Sequence, residues 1–439
     1  MSAIVANNTV SFDDLKYQDG LGNHFATEAL KGALPVGQNS PQQCAYGLYA
    51  EQLTGTAFTC PRARNFRSWQ YKIRPSVAHG PFTQIAMDHS SMDLLQHNPN
   101  QFRWKPFDIP TEGEVTFVNG LRLVAGAGDP TLKTGLAIYV YGINTSMGKT
   151  AMYNSDGDML IVPQEGTLRV QTEMGLMVVD PCEICVVPRG IKFSVQVDGP
   201  SRGYVQEIFS GHFEIPSLGP IGSNGLANPR DFQIPVACFQ DDDSAFTLVN
   251  KFGGLFFQAT MTNTPFDTVA WHGNYYPYKY DLKKFNCINS VTYDHPDPSI
   301  YTVLTCPTTE PGVAVCDFVI FPPRWMVMEN SFRPPWYHRN TMSEFMGMIY
   351  GKYDAKEGFA PGGASLHNTM TAHGPDGATF LKASTEDLKP NYFDGGLAFM
   401  FESTFMYKVA STAINASNLE QDYQACWQNL PKKYPKGFK

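Results

Sequence analysis

The sequence predicts a mainly β protein of two domains, and three observations carry that prediction. The chain has 439 residues, about three times a typical domain. Strand-like runs rich in Val, Ile and aromatic residues recur along it, each cut by Gly, Pro or Asp. Gly (38) and Pro (32) are together above average usage and aromatics reach 13%, which is the composition of many short strands joined by turns. Hydrophobic residues at 43% can fill a sizeable core, and charged residues at 17% fall below the usual figure of about 25%, which excludes disorder for the chain as a whole.

Residues 1–60 read as an irregular arm, rich in Gly, Gln and Pro (GNHFATEALKGALPVGQNSPQQ). Such a segment cannot build a core alone and must lie across its own domain or a neighbouring subunit. Over 61–215, FRSWQYKIRPSV, GLAIYVYGI, DMLIVPQEG and EICVVPRGIKFSVQVDG read as strands, and LRVQT-EMG-LMVV as a hairpin, in the spacing of a β-sandwich or small barrel. The turn-rich PSLGPIGSNGLANPRDFQIP follows, then DDDSAFTLVNKFGGLFFQAT, read as partly helical. A boundary near 280 divides the chain into domains 1–280 and 281–439. Over 281–410, SIYTVLTCP, VAVCDFVIFPP, SEFMGMIYGKY and GLAFMFESTFMYKV return to strands. The last thirty residues read as a C-terminal helix and a basic tail. No internal repeat is evident.

The net charge is −8 and no dense Lys/Arg block occurs, which argues against nucleic acid as a partner. No run approaches the ~18 apolar residues of a membrane span, so no membrane partner is expected. The nine cysteines are odd in number and scattered, and MSAIVANNTVSFDDLKYQDG has no apolar leader core. Free thiols in a reducing, cytoplasmic setting are therefore expected. Cys182-x-x-Cys185 has no second pair at metal spacing and reads as structural.

Four of the ten histidines lie between 295 and 373. The sharpest feature is His338-Arg-Asn-Thr-Met-Ser-Glu344, followed by PGGASLHNTMTAH with His367 and His373. Two histidines and one carboxylate, with nothing softer nearby, form the ligand set of a non-haem Fe(II) facial triad, which leaves coordination positions open for an organic substrate and O2. Six residues of extended strand span about 20 Å. His338 and Glu344 can therefore share a metal only if RNTMS reverses the chain, and the plain alternative is a hydrogen-bonded His–Glu couple at a loop. The same spacing separates His367 from His373 and does not choose between them. Asp294-His295-Pro-Asp297-Pro offers a His beside acidic residues, suited to proton transfer, although two prolines there are turn chemistry first. Asp180-x6-Val187-Pro188-Arg189-Gly190 resembles the second motif of cupin barrels, with Phe193 where a metal His is expected. If the first domain is cupin-like, it has lost its metal and become structural; the fold class expected, together with the resemblance below, is a two-domain cupin-like β-sandwich or barrel, bicupin-type.

These residues resemble the homogentisate 1,2-dioxygenase family over nearly the whole chain. The resemblance is carried in order by 22–63, MYNSDGDMLIVPQEG, WHGNYYPYKYDL, INSVTYDHPDPSIYTVLT, FVIFPPRW, FRPPWYHRNTMSEFMG and PGGASLHNTMTAHGPD. It implies one Fe(II) per subunit held by His338, Glu344 and His373, with His367 a substrate-contacting or supporting residue. It further implies that Tyr353 and His373 contact substrate, that His295 is the acid–base His, and that the chain forms a homohexamer, a dimer of trimers. The implied reaction converts homogentisate and O2 to maleylacetoacetate without nicotinamide or flavin. Arg333 and Arg339 are candidates for the substrate carboxylate. Tyr350 stands where a basic residue is more familiar, and the loop at 356–361 is about one residue short. The competing readings are a ring-cleaving dioxygenase for another hydroquinone such as gentisate, and a non-catalytic bicupin binding protein.

Overall fold

The computed structural model describes residues 10–218, 226–287, 298–326 and 336–434. His295 and Arg333 lie outside the described residues. The mainly β expectation is borne out: a ten-stranded and a seven-stranded sheet dominate the N-terminal half, and a six-stranded sheet the C-terminal half.

The ten-stranded sheet is centred on Leu121–Asp129, Thr134–Ile143, Ser201–Ile208 and Asp158–Glu165, all paired antiparallel. Thr134–Ile143 is apolar almost throughout and buried on both faces, as a central strand between two layers must be. The expected hairpin forms between Leu168–Thr172 and Gly175–Val179. The N-terminal arm lies across its own domain: Tyr17–Asp19 extends the ten-stranded sheet, and Phe25–Glu28 and Tyr49–Thr54 flank a four-stranded one.

The segment expected to be partly helical is instead a hairpin, Phe246–Phe252 with Leu255–Met261. Gly253 and Gly254 turn it with φ of 63° and 79°, the left-handed pair that tight hairpins require. Both of their N–H groups donate to the Asp156 carboxylate. The C-terminal helix also resolves differently, into a short α-helix Ser411–Ile414 and a 3-10 turn Tyr423–Trp427. Between them, the Asn418 carbonyl accepts from Lys105 N, and Glu420 N donates to the Arg103 carbonyl. Backbone groups that would close a helix are thus committed to a neighbouring strand.

The six-stranded sheet runs Thr302–Pro307, Ala314–Phe321, Gly396–Ser403, Ser343–Gly351, Ala364–His367 and Phe102–Trp104. Its last strand comes from the N-terminal half, while Lys408–Ala410 joins the ten-stranded sheet from the C-terminal half. A shared core closes between them: Tyr204 packs edge-on against Phe399 at 4.8 Å, and its hydroxyl donates to the Gly363 carbonyl at 2.7 Å. Gly347 is required here, because a Cβ would meet the Phe399 ring at 2.3 Å.

A fully buried Lys251 bridges Asp156 at 2.8 Å and Glu207 at 2.9 Å. Tyr139 and Asn154 donate to the remaining lone pairs of Glu207. Replacing Lys251 by Met would leave two buried carboxylates without a cation, and we expect a loss of about 3–5 kcal/mol, read from the urea midpoint. A loss under about 1 kcal/mol would show that the cluster contributes little.

Candidate metal centre

Two strands and two turns build the site. Ser343–Gly351 pairs antiparallel with Ala364–His367, which places Glu344 opposite His367. The chain leaves each strand through a turn, and the two turns meet again where His338 and His373 form an isolated antiparallel bridge. Their backbones exchange hydrogen bonds of 2.9 and 3.1 Å, so the imidazoles stand side by side. Met370, at φ 57°, makes the tight reversal between His367 and His373. The Asn368 carboxamide oxygen accepts from Ser343 Oγ and Tyr407 N, which locks that turn to the strand carrying Glu344.

Ligand atoms of His338, Glu344 and His373 all lie within 4.8 Å of one another. His373 Nε2 is 3.1 Å from Glu344 Oε2, and His338 Nε2 is 3.6 Å from Oε1. Donors about 2.1 Å from a shared metal and at right angles to each other lie about 3 Å apart, so the set fits one ion on a face. Each imidazole has its other nitrogen engaged: His338 Nδ1 donates to the Trp336 carbonyl at 3.0 Å and His373 Nδ1 to the Thr371 carbonyl at 2.8 Å. Such bonds hold a proton on Nδ1, so that a metal would meet Nε2 of each ring; without one, each Nε2 faces the Glu344 carboxylate. Asn340 Nδ2 donates to Glu344 Oε1 at 2.8 Å and orients the carboxylate.

Glu344 is 6% exposed and His373 5%, whereas His338 is only half-buried, so solvent reaches the centre from the His338 side. Burial pushes the Glu344 carboxyl up, but the hydrogen bonds from His338 and His373 overrule it and hold the group far below the usual carboxylate range. The hydrogen bond with Glu344 raises His338 against its own desolvation.

His367 lies in the wall of the site, with no exposure, its ring stacked parallel on His373 at 4.3 Å. Its Nε2 meets Tyr423 Oη at 2.9 Å and Lys356 Nζ at 3.3 Å. Burial, then the Lys356 charge, push His367 well below the ordinary imidazole value. Burial also pulls Lys356 down to about 8. Neither Lys356 nor Tyr423 stands out in the sequence, since one is an isolated Lys in a loop and the other a Tyr 67 positions further along the chain. Tyr353 packs edge-on against Phe321 and Phe359, and burial raises its hydroxyl far above the ordinary phenol value. Arg339 is exposed.

Among the described residues this is the one His/Cys/Asp/Glu group that could hold a metal. In the N-terminal half, Phe193 is buried against Phe117. Arg189 turns back to Asp158 at 3.0 Å, and His212 Nδ1 meets the other oxygen at 2.7 Å.

The fold and donor set define a mainly β protein with a two-histidine, one-carboxylate group that could hold a metal, the ligand class of non-haem metal oxygenases. Family models described as homogentisate 1,2-dioxygenase N-terminal and C-terminal match residues 16–282 and 283–434. The chain belongs to the homogentisate 1,2-dioxygenase family. Proteins of that name from Caenorhabditis elegans and Drosophila melanogaster are 56% and 55% identical to it, each over 96% of this chain and 98% of its own length. The one from Dictyostelium discoideum is 56% identical over 95% of this chain and 97% of its own. Among solved structures, a cupin 2 conserved barrel domain protein from Leptotrichia buccalis covers 68% of this chain and 92% of its own at 7% identity, with a TM-score of 0.27.

Two predictions follow from this geometry. Asn340→Ala removes the donor that aims Glu344 and should weaken metal affinity about 10- to 100-fold, read by competition with a chelator. Burial would raise Asp158, but His212 and Arg189 hold it at about 2, below the ordinary 3.8. A depressed carboxyl stabilises the fold above its unfolded value and loses that contribution as pH falls through the folded one. About 2 kcal/mol should therefore disappear between pH 4 and 2, and Asp158→Asn should flatten that limb of the urea midpoint against pH.

Proposed function

We propose that the chain is an Fe(II)-dependent dioxygenase that cleaves the ring of homogentisate with O2 to give 4-maleylacetoacetate, a step of tyrosine and phenylalanine catabolism. The observation that carries this reading is the convergence of His338, Glu344 and His373 on one point, with each Nδ1 engaged by a backbone carbonyl and each Nε2 turned to the Glu344 carboxylate. The names of the close relatives supply the substrate. Fe(II), when bound, supplies open coordination positions and the electron transfer between the hydroquinone and O2.

The chain's own residues do the rest. One C–C bond of the ring breaks beside the acetate-bearing carbon and both atoms of O2 enter the product, so no nicotinamide or flavin is consumed. His338, Glu344 and His373 hold the metal. His295 takes the proton from a substrate hydroxyl. Tyr353, kept neutral by its surroundings, donates a hydrogen bond to a substrate oxygen and fixes the ring. His373 and His367 face the substrate. The reading includes a first domain of 1–280, a catalytic domain of 281–439 and a homohexamer built as a dimer of trimers. Nine free thiols support a cytoplasmic setting, and no helix among the described residues is long and apolar enough to cross a membrane.

The test is oxygen uptake by protein loaded anaerobically with Fe(II) and offered homogentisate and gentisate in parallel. Uptake with homogentisate alone, abolished by a chelator, is the expected result; uptake with gentisate alone would replace the substrate and keep the centre. Alanine at 338, 344 or 373 should lose iron and turnover together, while His295→Ala should keep iron and lose turnover. Full iron in His373→Ala with none in His367→Ala would overturn the ligand assignment.

A further inference from the structure

Lys356 is buried, yet its ammonium forms no ion pair among the described residues. Its hydrogens go instead to Tyr423 Oη at 2.9 Å and towards His367 Nε2 at 3.3 Å. Tyr423 Oη is in turn 2.9 Å from the same Nε2. Tyr423 has little freedom to rearrange. Its ring lies under the Arg103 guanidinium at 4.7 Å and against Trp427 at 5.0 Å, and Arg103 is itself tied to Glu420.

Counting protons along this chain fixes the tautomer at its end. An ammonium only donates, so the Tyr423 oxygen accepts from Lys356 and its own proton goes on to His367 Nε2. An imidazole nitrogen that accepts in this way carries no hydrogen, so the proton of neutral His367 sits on Nδ1. Nδ1 is buried and has no hydrogen-bond partner among the described residues. A buried N–H without an acceptor is rare and costly in a folded protein, and this one belongs to a ring stacked on the ligand His373. The fold thus maintains an unpartnered donor on the ring that stacks against His373.

We propose that Lys356 and Tyr423 are positioning residues that hold His367 as its Nδ1–H tautomer, so that it offers a hydrogen bond to an oxygen of the aromatic diol bound at the centre. The proposal rests on the functional reading above for the ligand, and on the hydrogen-bond geometry alone for the tautomer. Lys356 and Tyr423 touch neither substrate nor metal; they act through Nε2. Without them, either nitrogen of His367 could carry the proton, and part of the population would present a lone pair where the substrate oxygen needs a donor.

Two variants test this. Tyr423→Phe keeps the ring under Arg103 and removes only the hydroxyl; Lys356→Met keeps the length of the side chain and removes the charge. Solid-state 15N spectra of histidine-labelled protein loaded with Zn(II) report the tautomer without turnover, with His367 assigned by difference from His367→Ala. We expect a single Nδ1–H species in the parent protein and a mixture in each variant. Bound iron should be unchanged, and kcat/KM should fall about 10-fold. In a His367→Ala background, Tyr423→Phe should cost nothing further, because its effect passes through His367. An unchanged His367 tautomer in both variants, or a Tyr423→Phe loss that adds in full to that of His367→Ala, would overturn the proposal. Absence of homogentisate-dependent uptake in the parent protein would instead overturn the functional reading and leave the tautomer result standing.

Discussion

The site depends on one pairing register. Glu344 faces His367 across two antiparallel strands, and six residues out from each, the chain closes again at the His338–His373 bridge. Side chains alternate faces along a strand, so a slip of one residue would turn Glu344 away from both imidazoles. The register is held at several points. Ser343 Oγ reaches Asn368, Thr369 N donates back to Ser343 Oγ, and Met370 N donates to the Asn340 carbonyl. Each turn is thus part of the other's support, and the metal donors ride on a ring of backbone closed at both ends. Such rigidity is what a centre needs if its donors are to converge before the ion arrives.

Charge is handled in opposite ways on the two sides of His373. On one side a buried carboxylate lies between two imidazoles, each steered by a backbone carbonyl, so that the carboxylate and both Nε2 atoms face a common point. On the other side a buried ammonium is given no carboxylate, only a phenol and an imidazole. Burial pulls that ammonium down to about 8, the direction desolvation imposes on an unpaired cation. The buried cations of the N-terminal half behave otherwise: Lys72 and Lys251 each meet two carboxylates, and both are raised above the ordinary lysine value. Fully paired clusters of that kind serve the scaffold. Among the described residues Lys356 is the exception, and it lies beside His367.

Much of this was legible in the sequence because it is written in local chemistry. Alternation and turn residues marked most strands, and two histidines with a glutamate marked the donor set. Spacing could not choose between His367 and His373, since both are compatible with a strand or a turn; the reversal at Met370 and the pairing with His338 bring His373 rather than His367 into the cluster with Glu344. The hairpin at Phe246–Met261 was hidden because its turn is stabilised from a distance, by Asp156. The final segment failed as a helix for a similar reason, its Asn418–Glu420 backbone being drawn to a strand more than three hundred residues earlier. Lys356 and Tyr423 carry no local signature at all. Their meaning arises only when the tail folds back over the sheet.

That long-range closure also involves an N-terminal half that, among the described residues, offers no metal-donor cluster where the motif at 180–190 would place a His. Phe193 fills that place and packs in the core, and Arg189 spends its guanidinium on Asp158 and on the Phe209 and Gly211 carbonyls. Yet the same half completes the six-stranded sheet that carries the candidate site. It contributes Phe102–Trp104 beside the strand that carries His367, Tyr204 as a prop under Gly363, and Arg103 as the plate against which Tyr423 lies. The strands, aromatic rings and buried ion clusters of the first half serve as support for the site. The second half could then keep a half-buried His338 open to solvent, because the opposite wall of its site was built by the first.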